Sequence, residues 1–187
     1  MHTTTLDPKT ALVVIDLQKG IVGLPTAHPA AEVVARAARL ADAFRRRGLP
    51  VVLVNVAGVA PGRTEQARPV GAFPEGWTEL VPELNPEPQD HLVTKRTWGA
   101  FTGTDLLDRL RREGVTQVVI AGIATSAGVE STARQAYELG FNVTLATDAM
   151  TDRSAEAHLN SVSRIFPRLG ETATTGEILQ LLGEAGR

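Results

Sequence analysis

The chain has 187 residues, of which 43% are hydrophobic and 21% charged, with a formal net charge of −2 and no basic stripe, which speaks against a nucleic-acid surface. The length suits one domain, residues 1–187, with a sizeable core. Having no cysteine excludes disulfides and thiolate metal sites. No apolar run reaches the length of a membrane span, and MHTTTLDPKT lacks the regions of a secretory leader, so a cytoplasmic protein is expected.

After the polar lead Thr3–Thr10, the apolar run Leu12–Asp16 is the first predicted strand. Between Pro29 and Arg47, residues Val33, Val34, Ala37, Leu40, Ala41 and Phe44 recur at spacings of three and four, which predicts an amphipathic helix ended by Gly48. Arg45, Arg46 and Arg47 fall on its last turn and read as a solvated helix end facing the dipole. Val51–Val56 is a second buried strand. The stretch Ala57–Asp90 is rich in Pro and Gly and weakly periodic, and reads as a functional loop serving as a lid or an interface element. His91–Thr94 is a third strand. A helix capped by Thr104 follows to Glu113, with Leu106, Leu107 and Leu110 inward. Gln117–Ala121 is a fourth strand, followed by a helix from about Ala127 to Leu139, a fifth strand Asn142–Ala146 and a helix Ser154–Phe166 closed by Pro167. A short strand near Thr172–Thr174 and a helix Gly176–Leu182 complete the chain.

This alternation predicts an α/β fold of three layers, α/β/α, with a mostly parallel sheet of roughly six strands. In such folds ligands bind beyond the carboxyl ends of the strands. Asp16, Lys95 and the turn Gly122–Gly128 all fall there.

Three segments, ALVVIDLQ (Ala11–Gln18), LVTKRTWGAF (Leu92–Phe101) and VVIAGIATSAGVESTARQA (Val118–Ala136), together resemble the isochorismatase-like hydrolases, also called the cysteine hydrolase family. The resemblance runs from Leu12 to Leu182 and implies a Rossmann-like fold. Members carry an Asp after the first strand, a Lys after the third and a nucleophilic Cys at the start of the helix after the fourth. Asp16 and Lys95 stand in the first two places, Lys95 within an element resembling K-x-x-x-[SDG]-A-F. In the run T-x-x-C-V-x-x-T, matched by Thr125–Thr132, the cysteine's place is held by Gly128. The resemblance further implies an oxyanion site at the backbone N–H groups of Ala124 and Gly128, and a non-proline cis peptide at Ile123–Ala124. It also implies a small-molecule substrate and a homodimer or higher homo-oligomer. Nicotinamidase members bind a metal through Asp-x-His after the second strand. Asn55-Val56-Ala57 stands there instead, and His28, His91 and His158 show no ligand spacing, so neither metal nor cofactor is expected.

Without a thiol, covalent amidase chemistry is closed. Isochorismatases proper share the glycine, and there the Asp protonates an enol-ether carbon before water captures the cation. Asp16 would need burial, or substrate negative charge near Lys95, to outweigh the lysine, since burial raises its pKa and Lys95 lowers it. Hydrolysis of another small molecule and a catalytically silent binding protein are the alternatives. Asn55, Arg96 and Thr125 are candidate polar contacts to substrate. Trp98 and Phe101 are candidate walls for a flat ring, with loop packing an equal alternative, and Phe73 and Trp77 could form a lid or reach a neighbouring subunit. A competing pattern is A-x-S-x-G at Ala124–Gly128, a nucleophile elbow with Ser126 followed by Asp148 (or Asp152) and His158, although the spacing is poor.

Overall fold

The computed structural model describes residues 4–65 and 72–183. The apolar runs form six strands, all paired in parallel: β1 (Thr10–Ile15), β2 (Val51–Val56), β3 (His91–Lys95), β4 (Gln117–Ile123), β5 (Asn142–Thr151) and β6 (Glu171–Ala173). The helices are α1 (Lys19–Val22), α2 (Ala30–Arg46), α3 (Leu106–Arg112), α4 (Glu130–Glu138), α5 (Ala155–Asn160) and α6 (Thr175–Leu181). Every residue of β1 and β4 is buried, as central strands covered on both faces must be.

Strand pleating sends alternate side chains to opposite faces and so builds two cores. On one face Leu12, Val14 and Leu53 pack with Val33, Ala37 and Phe44 of α2 and Ile178 of α6. On the other, Val13, Ile15 and Val54 pack with Leu106 and Leu110 of α3 and Ala133 and Ala136 of α4. The result is the expected three-layer α/β/α architecture. None of the described helices is long and apolar enough to cross a membrane.

The strand order is β3-β2-β1-β4-β5-β6. The chain runs outward from β1 to β3 and then returns to the other side of β1, so a crevice opens at the carboxyl ends of β1 and β4. Gly122 lets the two strands meet there. Its φ is +123°, and a Cβ on it would overlap the Ile15 carbonyl oxygen.

Several elements differ from the sequence expectation. β5 continues to Thr151 because the β4–β5 register slips between Ile120 and Gly122, after which Gly122 pairs with Met150 and Ile123 with Thr151. The helix expected from Ala127 begins as a π-turn, Thr125–Val129, before α4. The helix expected over Ser154–Phe166 is α5 followed by a π-turn, Ser161–Ile165, and a 3-10 turn, Phe166–Arg168. Thr104 donates its hydroxyl to the Ala100 carbonyl and is only a distant acceptor for Leu106 N–H, at 3.4 Å. Arg45 is not solvated: it pairs with Asp90 at 2.7 Å, the two side chains being 5% and 1% exposed, because the segment after β2 folds back over α2. That segment includes a 3-10 turn, Pro82–Leu84, and a bridge from Leu80 to Gln18; residues 66–71 of the expected loop lie outside the described residues.

Candidate active site

β1 delivers Asp16 into the crevice with an unusual backbone. Its φ is +53°, the left-handed region that costs a non-glycine residue about 1 kcal/mol or more. Lys95, the last residue of β3, reaches past β2 and donates from Nζ to Asp16 Oδ2 at 2.7 Å and to the Thr97 carbonyl at 3.1 Å. The lysine is 2% exposed. The other carboxylate oxygen, Asp16 Oδ1, is buried with no hydrogen-bond partner. From the far side, the turn after β4 brings up Gly128. A Cβ at this position would lie 3.2 Å from Asp16 Oδ2, 3.5 Å from Lys95 Nζ and 3.0 Å from Ile15 Cγ2. Three elements distant in sequence thus converge on one point, and the smallest residue stands where any side chain would touch the ion pair.

Burial is the larger influence on Asp16. It pushes the carboxyl up from 3.8 to about 6, while the charge and hydrogen bond of Lys95 pull the other way without prevailing. Oδ2 already accepts from Lys95, so the oxygen left to carry a proton is the unpartnered Oδ1. The group is therefore suited to proton donation in mildly acidic to neutral water.

Asp16, Lys95, Ala124 and Gly128 line a cavity of about 240 Å³. Its other walls are mostly apolar: Ile21 and Leu24 from the segment after β1, Val56 and Val59, Ile123 and Ala127, and the aromatic residues Phe73, Trp77 and Trp98. Phe73 stacks on Trp77 with ring centroids 4.2 Å apart. Gly20 makes room for that wall, since a Cβ there would overlap the Trp77 indole. The Ile123–Ala124 peptide bond at the entry to the turn is cis. Among the described residues, no group of three His, Asp or Glu side chains is placed to hold a metal ion.

Four candidate contacts fall elsewhere. Asn55 donates to the Thr78 carbonyl at 2.8 Å and accepts from the Thr94 hydroxyl at 2.7 Å, so both ends of its amide tie strands to the following segment. Arg96 is exposed and donates to the Ala57 carbonyl at 3.2 Å. Phe101 stacks with Phe141, centroids 6.0 Å apart, under the second core. Thr125 is fully buried, its hydroxyl 2.8 Å from His158 Nδ1. Trp98 alone of the five candidate contacts lines the cavity, at 65% exposure.

The serine elbow does not assemble. Ser126 donates its hydroxyl to Asp152 Oδ2 at 2.8 Å, His158 faces Thr125 and the His28 ring, and Asp148 accepts from Thr175 on another side of β5. Among the described residues, no hydrogen bond joins the Ser126 hydroxyl to a histidine ring.

Two residues escaped the sequence reading. Gln18 is fully buried and holds three backbone groups, accepting from Val56 N–H and donating to the Val56 and Trp77 carbonyls. Its only signal was polarity just after an apolar strand. Arg153 lines the cavity, but with β5 expected to stop at Ala146 it could not be placed at a strand end.

Residues 10–177 match the isochorismatase domain family. An uncharacterized isochorismatase family protein of Escherichia coli O157:H7 is 48% identical over 92% of this chain and 96% of that protein. A probable isochorismatase of Pseudomonas chlororaphis is 30% identical over 94% of this chain and 87% of its own length. The solved structure of an isochorismatase family protein from Burkholderia thailandensis superposes with a TM-score of 0.92 at 44% identity, covering 96% of this chain and 98% of that one. With the family match spanning the sheet and the crevice, the chain belongs to the isochorismatase family.

Proposed function

We propose that the protein hydrolyses a small molecule without a covalent enzyme intermediate, Asp16 acting as general acid and water as the nucleophile. One observation carries this reading: a buried carboxyl, raised to about 6 and with Oδ1 unpartnered, stands beside a glycine that supplies no nucleophile. Among water-based hydrolyses, enol-ether cleavage of the isochorismate type suits an acid in this position.

In that reaction the Asp16 O–H bond breaks as a C–H bond forms at the terminal enol carbon, leaving an oxocarbenium ion and a carboxylate. Water adds to the cationic carbon and loses a proton, which restores the acid. The resulting hemiketal collapses to a ketone and an alcohol. Lys95 steadies Asp16 through Oδ2 and stabilises its carboxylate once the proton has left. The backbone N–H groups of Ala124 and Gly128 are assigned to negative charge on the substrate. Trp98 at the cavity mouth is large, apolar and exposed, a feature that suits a homodimer or higher homo-oligomer; light scattering on the purified protein tests that assembly.

The activity test is isochorismate turnover by the wild type and by Asp16→Asn. The reading expects turnover whose kcat/KM falls as pH rises through about 6, and loss of at least about two orders of magnitude in the variant. No turnover, or a variant as active as the wild type, would sink the isochorismate assignment.

A further inference from the structure

We infer that Arg153 is a specificity-determining residue that anchors a carboxylate on the substrate, whose remainder is apolar and ring-bearing. The inference deepens the proposed function by naming the substrate class, and it rests on that reading for the site.

Among the described residues, three ionisable side chains line the cavity: Asp16, Lys95 and Arg153. Lys95 is spent on Asp16 and the Thr97 carbonyl. Among the described residues Arg153 has no hydrogen-bond or ion-pair partner, and it is an exposed residue on the cavity lining. When Asp16 holds a proton, as the proposed chemistry requires, the ionised groups left on the wall are cations. An anion is the complement of such a wall, and a guanidinium binds a carboxylate through two parallel hydrogen bonds.

The backbone that carries Arg153 is fixed relative to the reacting end. Its neighbour Asp152 accepts from Ser126 N–H at 2.7 Å and from the Ser126 hydroxyl at 2.8 Å, which ties the end of β5 to the turn bearing Ala124 and Gly128. Asp152 Oδ1 accepts from Ser154 N–H at 3.2 Å, and its carbonyl accepts from Ala27 N–H at 2.7 Å. Arg153 therefore projects from a braced connection, so little ordering of the main chain is required when a ligand arrives. The neutral part of the wall is mostly apolar, with Trp77, Trp98, Ile21 and Leu24 among it, and the hydroxyl of Thr26 there already donates to the His28 carbonyl, so the wall offers flat and aliphatic surface but few hydrogen bonds to a polyhydroxylated body.

The chain has two tryptophans, and both line the cavity, so intrinsic fluorescence reports on this site. Benzoate and phenylacetate are titrated against benzamide and phenylacetamide, which share their shapes without the charge. The acids should bind more tightly than the amides, on the order of tenfold or more, as hydrogen bonds to a charged partner give. Arg153→Gln should abolish that preference while leaving amide binding unchanged, and Arg153→Lys should restore part of it. Equal binding of acids and amides, no binding of either acid, or a preference that survives Arg153→Gln would overturn the assignment. No turnover is read in this experiment. Failure to hydrolyse isochorismate would count against the proposed function and leave this result standing.

Discussion

Replacing Asp16 by Asn tests whether burial or Lys95 governs the acid, and it needs no substrate. In the folded chain Asp16 titrates near 6, and in the unfolded chain near its ordinary 3.8. Between those values the native state holds a proton that the unfolded state has released, so folding stability falls as pH rises. The contribution is fully present below about 3.8, is lost as pH passes through about 6, and stays constant above. At about 1.36 kcal/mol per pKa unit the interval amounts to about 3 kcal/mol. Asparagine keeps the shape and cannot titrate. Urea denaturation of both proteins from pH 4 to pH 8, with the two free energies subtracted at each pH, isolates the Asp16 contribution from every other titration. Relative to wild type, Asp16→Asn should gain about 2 kcal/mol between pH 4 and pH 7, most of it in the acidic half of that range, and nothing further beyond about pH 7. A flat difference would remove the elevated pKa. A wild type that instead gains on the variant as pH rises would mean that Lys95 outweighs burial, as in an ordinary surface-paired carboxylate.

Gln18→Ala leaves the half-buried Val56 N–H without its acceptor and two carbonyls one donor short, so it should cost about 2 kcal/mol in urea unfolding at unchanged m value. Gly128→Cys introduces the only thiol of the chain at the cavity wall. Native protein should take up one iodoacetamide by mass spectrometry. Stability should fall by about 1–3 kcal/mol, because Ile15 Cγ2 at 3.0 Å must give way; an unreactive thiol would show the position closed to the cavity. Ser126→Ala removes one of the two bonds that Ser126 makes to Asp152, and should cost about 1 kcal/mol in stability while turnover stays within a few-fold. A loss of several orders of magnitude in rate would reinstate the serine nucleophile.

Much of the fold was legible because a strand buried on both faces must read as an apolar run, and β1 and β4 do after their first residue, as does Val51–Val54 of β2. The same rule exposed Asp16, a charged residue where such a run stops, whereas Lys95 ends the half-exposed strand HLVTK and stood out by its place at a strand end. What escaped depends on pairing between distant segments. The extension of β5 exists only because β4 offers new partners beyond the register slip. Asn55 and Thr94 look like free polar strand ends in sequence, yet they are cross-strand partners and satisfy each other. Thr125 is answered by His158, Phe101 by Phe141, and Arg45 by Asp90, and no local pattern announces any of these pairs.

The conflict between burial and Lys95 has a local origin in the two carboxylate oxygens. A lysine that bonded both would stabilise the carboxylate and keep the acid weakly basic. Here Lys95 also serves the Thr97 carbonyl and meets only Oδ2, which leaves Oδ1 buried and unanswered. An unpaired buried carboxylate oxygen penalises the ionised form, and protonation relieves it. Gly128 bears on the same balance. A thiol on a Cβ 3.2 Å from Oδ2 would give the ionised carboxylate a proton to abstract and so a reason to stay charged. With glycine in that position no enzyme group supplies such a proton, and the acid form is the one that burial favours. The residue at 128 thus bears on which direction the proton travels at Asp16 as well as on whether a covalent intermediate can form.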